Sequence, residues 1–446
     1  MKHLLKLFLT TFLVAGVLLA LDGREEKIRL EKELRAKASA GNESVDAASS
    51  VWLPLSLAGY SVKYIDYRPS GVVWALAFSG SNDYAFYSDN NGQSWTRTAL
   101  PATQNVGYAN VSSANDSTAV VGDYDGNLYR SVDKGKTWTK VYSYSTPDTG
   151  WFDGVRFLNS TTAIAVGDAD FGGLHVVKST DAGATWTRIT NLPDSAKSAY
   201  RFFAIASYGA CIEVEGNNVW IAYYSSSAPR RMLAPIIKST DAGATWTWSE
   251  ANLTGGTNNY YFRSIRFKDA NLGWGVGRQA SSSSTTSFPL HKTTDGGATW
   301  SDTLVIEPGV PLSVNKAYIP QPIRGTNKMI IVGAAGSSTA AWWSEDNGAT
   351  FTKLLSPFSG AFRSVGYGDS ARIIVGSGAN AYKYEPSVEV TFLVNTSTVP
   401  DTLKSSSTVQ MRGDDGNLLR WDGGSTVRFS NLTNPAGSSD YWTVKA

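Results

Sequence analysis

Three arginines stand where strand-like runs begin: Arg201 in Y-R-F-F, Arg263 in Y-F-R-S and Arg363 in A-F-R-S. A guanidinium offers parallel N–H donors that match the two oxygens of a carboxylate. Three of them brought together would clamp an acidic ligand. Glu213 and Glu215 follow Arg201, on what reads as a later strand of the same unit. Two carboxyls at a set separation can hydrolyse a glycosidic bond, but a sequence does not show that separation. Aromatic side chains accompany the arginines: Tyr108, Trp151, Phe152, Tyr200, Tyr260, Tyr261 and Phe362, with Asp153 among them. Such mixtures are enriched at recognition surfaces. They equally suit rings packed between layers of a core. Asp168 with Asp170, and Asp123 with Asp125, read as acidic turns, and neither is a full calcium ligand set. No metal site and no cofactor is expected. Cys211 is the one cysteine, so an intrachain disulfide is excluded, and it reads as an inert core residue.

What must position these residues is a repeat. S-V-D-K-G-K-T-W covers Ser131 to Trp138, S-T-D-A-G-A-T-W covers Ser179 to Trp186 and Ser239 to Trp246, and T-T-D-G-G-A-T-W covers Thr293 to Trp300. Looser copies stand at Ser88 to Trp95 and at Ser344 to Phe351. The starts lie 43 to 60 residues apart, the length of a four-stranded blade with its loops. In each octet a hydroxyl and a carboxylate can close a turn on nearby N–H groups. The glycine suits a positive φ, and the terminal Trp or Phe is an apolar plug. Asp133, Asp181, Asp241, Asp295 and Asp346 are therefore expected to be turn stabilisers; one carboxylate per blade around a ring cannot converge on one metal. Strand-like runs precede each octet, such as V-R-F-L with A-I-A-V-G, and S-I-R-F with G-W-G-V-G. A last unit lacks an octet, and Val51 to Leu57 is expected to supply its outer strand and close the ring.

The octets resemble the Asp box of bacterial neuraminidase-repeat propellers, which joins the third and fourth strands of a blade on the face away from the usual binding funnel. The unit from Ser264 to Trp300 is similar to the repeat of the photosystem II stability and assembly factor family. That resemblance covers about Val51 to Glu385 and implies a binding or assembly scaffold, with no catalytic residues carried over. Sialidases share the box. Their chemistry requires three arginines on a carboxylate, a Tyr–Glu nucleophile pair and an Asp acid, and the F-R-I-P motif that supplies the first arginine is absent here. Xyloglucanases carry Asp boxes too, on two propellers in tandem.

The expected fold is all-β: a seven-bladed β-propeller over residues 51–385, then a partial immunoglobulin-like β-sandwich over 386–446. In the latter, V-T-F-L-V-N, W-D-G-G and D-Y-W resemble a starch-binding-type module, in which Trp421 or Trp442 would stack on sugar rings. Lys2 and Lys6 before the apolar run Leu7 to Leu21 read as a signal peptide or anchor over residues 1–21, and 22–50 as a charged spacer. Secretion or a periplasmic, envelope-exposed location is expected. A formal charge of +2 over 446 residues gives no cationic field for nucleic acid. The expectation is a monomeric, non-catalytic scaffold that recognises a protein or a glycan. Its ligand residues would be Tyr108, Trp151, Asp153, Arg201, Tyr261, Arg263 and Arg363 at the channel mouth, with Trp421 and Trp442. The alternative is a sialidase-like glycoside hydrolase.

Overall fold

The computed structural model describes residues 51–385, apart from parts of the connecting loops, and four short strands between 391 and 445. Arg201, Tyr200 and Trp421 and residues 1–50 lie outside the described residues, as do the side chains of Tyr260, Phe362, Arg363 and Trp442. Two compact units divide at Pro386.

The first unit is an all-β propeller. Antiparallel sheets follow one another along the chain, each ordered from an innermost to an outermost strand. The first holds Ser61–Tyr67, Val73–Ser79, Asn82–Ser88 and Thr96–Ala99. Later innermost strands are Tyr108–Ser113, Phe152–Phe157, Ile212–Glu215, Tyr260–Phe267, Asn315–Pro322 and Phe362–Asp369. Consecutive innermost strands touch, and the last touches the first, so the ring is closed. Closure uses the N-terminal segment as expected: Val51–Pro54 pairs antiparallel with Asn380–Glu385, Trp52 opposite Tyr384.

Six sheets are complete four-stranded blades. The expectation of seven is corrected here. The sheet of Tyr260–Phe267, Gly273–Gln279 and Leu290–Thr293 has three strands, with only a single bridge from Leu290 to Leu304 beyond them. Its octet leads into Ser301, which bonds Lys292 and His291, and beyond the Leu290–Leu304 bridge the ladder continues no further among the described residues.

Second strands such as V-W-A-L-A and N-V-W-I-A are buried on both faces, because each sheet packs between two neighbours. Each apolar cluster therefore spans two adjacent sheets. Ile164, Val166 and Val176 of one pack on Cys211, Ile212, Val219 and Ile221 of the next. Burial pushes the Cys211 thiol well up, which leaves it protonated.

The octets close the turns after the third strands. Ser179 Oγ donates to Asp181 Oδ1 at 2.8 Å and accepts the Gly183 N–H at 2.9 Å. Asp181 in turn accepts the Thr185 N–H at 2.9 Å and its hydroxyl at 2.6 Å. The same bonds recur at Asp133, Asp241, Asp295 and Asp346. In the first copy Asn90 takes the place of the acid. The bonds from Thr185 hold the Asp181 carboxyl down at about 2. A carboxyl depressed when folded contributes stability above its unfolded value, lost as pH falls through the folded one. Asp181→Asn should thus lower the melting temperature by a constant amount above about pH 4.5, and by progressively less between about pH 4 and 2. Thermal scans of both proteins across that range check it.

The second unit has two two-stranded sheets, Thr391–Asn395 with Tyr441–Lys445 and Thr408–Val409 with Val427–Arg428. These pairings bring the V-T-F-L-V and Y-W-T-V segments together.

Candidate functional site

Two levels of the channel carry polar side chains. The first is marked by β-bulges in the innermost strands. Bulges fall at Lys63, Asp153, Arg263, Tyr318 and Arg363, near the start of their innermost strands and away from the octets. Three of these are mouth residues expected from the sequence. Lys63 was missed, although V-K-Y-I stands in the frame of F-R-S-I. It is buried against Asp83, with Nζ 2.6 Å from Oδ1. Burial raises the Asp83 carboxyl, and the Lys63 charge opposes that.

Asp153 faces Asp168, and both are buried. Asp168 is part of the strand Ala163–Asp170 rather than of a turn, and its N–H donates to Trp151 O at 2.9 Å. Burial, then the charge of Asp168, pushes Asp153 well above the usual carboxylate range. A carboxyl raised when folded costs stability as pH climbs from its unfolded value through the folded one. Asp153→Asn is therefore expected to match the native protein near pH 4 and to exceed it increasingly as the pH rises to neutrality. Denaturant unfolding at the two pH values measures this.

Trp151 is half-buried and its ring lies 4.9 Å from that of Tyr124. Tyr108 and Tyr261 are buried, and Tyr108 Oη donates to Pro101 O at 2.7 Å. Their rings pack in the wall. Arg263 is half-buried at the bulge.

The second level lies one residue inward from the octet end. Asp66, Ser112, Arg156, Glu213, Arg266, Gln321 and Gly366 occupy one register, opposite Trp74, Val120, Ile164, Trp220, Trp274, Ile330 and Ile374. Four charged groups meet here. Arg324 Nη2 is 2.7 Å from Glu213 Oε1, while Arg156 Nη2 and Arg266 Nη1 are 3.4 and 3.5 Å from Oε2. Arg156 also lies 5.0 Å over the ring of Tyr64, a sheet not adjacent to its own. The group therefore spans the axis. Tyr367 Oη accepts the Arg324 N–H at 3.4 Å. Burial lowers Arg156 to about 10, against the attraction of Glu213.

Sequence reading placed Glu213 on a later strand of the Arg201 unit. It lies instead on the innermost strand Ile212–Glu215, while Phe202–Phe203 pairs with Tyr224–Ser225 in a separate two-stranded sheet. Both runs are strand-like; the inner place falls to the one whose register continues through N-V-W-I-A into the octet. Arg156, Arg266 and Arg324 were missed as a set. They come from three sheets, and only the R-F spacing of V-R-F and I-R-F hinted at two of them.

Three guanidinium groups do converge, then, but on the chain's own carboxylate and at the octet end. A hydrolase clamp needs its arginines open to substrate and its Tyr–Glu pair in contact. Here Glu213 occupies the arginines, and Tyr367 bonds the Arg324 backbone.

No family model matches the sequence. A xyloglucanase of Acetivibrio thermocellus, Xgh74A, is 26% identical over 45% of this chain and 34% of its own length. The chain thus spans about a third of the curated relatives it matches. Among solved structures, YCF48 bound to D1 peptide superposes with a TM-score of 0.54 at 12% identity, covering 78% of this chain and 97% of that one. A streptogramin B lyase structure superposes at 0.50 and 13% identity, covering 77% and 100%. At these identities the likeness is one of fold: the chain shares the β-propeller architecture of both.

Proposed function

We propose that the chain is an extracytoplasmic, non-catalytic binding scaffold that recognises a protein or glycan at the channel mouth distal to the octets. In this reading the octets are Asp boxes. Residues 1–21 are a signal peptide or anchor, and the unit after Pro386 is a partial carbohydrate-binding-like module. The chain acts as a monomer. The observation that carries the proposal is the place of the arginine cluster: its three guanidinium groups converge on the chain's own Glu213 at the octet end, away from the mouth. A protein partner gains support from YCF48, a propeller of the same architecture whose structure holds a D1 peptide.

The second reading, a glycoside hydrolase, is favoured by the xyloglucanase match. One experiment separates them. The full chain is applied to peptide and glycan arrays and incubated with xyloglucan and a sialoside. Binding on an array that weakens at least tenfold in Arg263→Ala, without sugar release, is the expected result. Release of reducing sugar or sialic acid would favour the hydrolase and end the scaffold reading.

A further inference from the structure

The octet end of the channel holds more positive charge than its own carboxylate can balance. Among the described residues Glu213 is the one carboxylate that Arg156, Arg266 and Arg324 share, while Arg156 Nε also donates to Ile212 O and Arg324 Nη2 to Val214 O. Asp66 shares their register, but it accepts the Ser113 N–H and hydroxyl, both at 2.6 Å, and its charge partner is Arg68. Three cations face one anion. Two of the three pairings are long, at 3.4 and 3.5 Å, so one carboxylate is stretched between donors it cannot fully satisfy. Arg266 shows the deficit most clearly. Its side chain is only 4% exposed, Nη1 donates to Ile265 O at 2.8 Å, and Nε has no acceptor among the described residues. A buried, charged donor without a partner is costly. The site also has an entrance: the Arg324 side chain is 38% exposed, in the turn after the strand Asn315–Pro322.

We propose that this end of the channel is a receptor for a free carboxylate. The anion enters beside Arg324 and takes the Nε–H of Arg266 together with outer N–H groups of Arg156 and Arg324. Glu213 remains in place and keeps the guanidinium planes apart. Charge then stands at three cations to two anions. Planar forks favour a carboxylate, as Glu213 itself demonstrates, and the ring of Tyr64 lies 5.0 Å from the Arg156 guanidinium. This goes beyond the scaffold reading: it concerns the opposite end of the channel, and it holds whether the mouth takes a peptide, a glycan or a substrate.

The test follows the thermal midpoint of the full chain in sodium acetate and in sodium chloride at equal ionic strength, at pH 7. Ligand that binds only the folded state raises the midpoint by mass action. Acetate should add about 2 °C or more over chloride at 0.2 M, and Arg266→Gln should abolish that increment. Should Arg266→Gln not fold, Arg324→Gln, altered at a half-exposed side chain, should at least halve it. Glu213→Gln should enlarge it, because the resident carboxylate is gone. A short acetylated peptide with a free C-terminus, its amide, and glucuronate then identify the source of the anion. An effect of the free acid but not the amide points to a chain terminus, and an effect of glucuronate to an acidic sugar. Equal midpoints in acetate and chloride, an undiminished increment in the arginine variants, or stronger stabilisation by phosphate than by acetate would overturn the assignment.

Discussion

Replacing Glu213 with alanine is expected to destabilise the propeller by about 3–5 kcal/mol, the largest effect of any single substitution at the octet end. The cause is what the substitution leaves behind. Arg266 is buried and Arg156 partly so, with side-chain exposures of 4% and 14%, and Glu213 is their one acidic partner among the described residues. Without it, like charges face each other where water cannot screen them. Arg324 can turn outward and contributes less to the loss. Two controls separate this from simple cavity formation. Glu213→Gln keeps the volume and should recover only a minor part of the loss, because an amide brings no charge. The double replacement Glu213→Leu with Arg266→Leu should be milder than Glu213→Ala alone, since it removes a buried cation along with its partner. Urea unfolding of the three variants measures the order. A Glu213→Ala protein within 1 kcal/mol of the native one would show that the arginines find other acceptors.

The octets yield the second large effect, in opposite directions at neighbouring residues. Gly183→Ala should cost about 2–4 kcal/mol, while Ala182→Gly should gain about 0.5–1 kcal/mol. Gly183 has φ of 81°, and an added Cβ would sit 2.6 Å from Val120 Cγ2 in the preceding sheet. The glycine answers two requirements at once: a left-handed backbone and close docking on the neighbouring blade. The pattern repeats, with Gly135 against Trp74, Gly243 against Ile164 and Gly348 against Trp274. Each octet thus closes its own blade and also locks it to the one before. Trp220 makes this lock a hydrogen bond, its Nε1–H donating to Gly296 O at 2.8 Å. Ala182 also adopts a left-handed φ, 58°, as do Lys134, Ala242 and Asn347 in the other copies. Glycine relieves the strain of that backbone at the loss of one partly buried methyl, as Gly296 already does in the octet after Thr293. Thermal or denaturant unfolding of Gly183→Ala and Ala182→Gly measures both. Equal shifts of the same sign would show that backbone conformation does not govern the turn.

Much of the architecture was legible because it is periodic and local. The octets announced turns at blade spacing, and the bonds of Asp133, Asp181, Asp241, Asp295 and Asp346 involve only residues within the same eight positions. The left-handed conformation of the residue before the glycine was not legible, since Lys, Ala and Asn at that position share no side-chain signature. Ring closure by Val51–Pro54 was readable from an unpaired outer edge. The short fourth strand of the Tyr260–Phe267 sheet was not, because T-W-S-D looks like the start of any other outer strand.

At the functional level the division is sharper. The sequence alone determined the octet turns and most of the strands, which depend on neighbours close along the chain; it named Asp153, Arg263 and Arg363 but not the bulges on which they sit. Only the tertiary structure decided which charges meet. Arg156, Glu213, Arg266 and Arg324 are separated by 57, 53 and 58 residues; the first three converge because innermost strands share one register around the axis, and Arg324 reaches them from the turn after Asn315–Pro322. Burial in that channel, which no local pattern encodes, turns four ordinary side chains into one electrostatic unit.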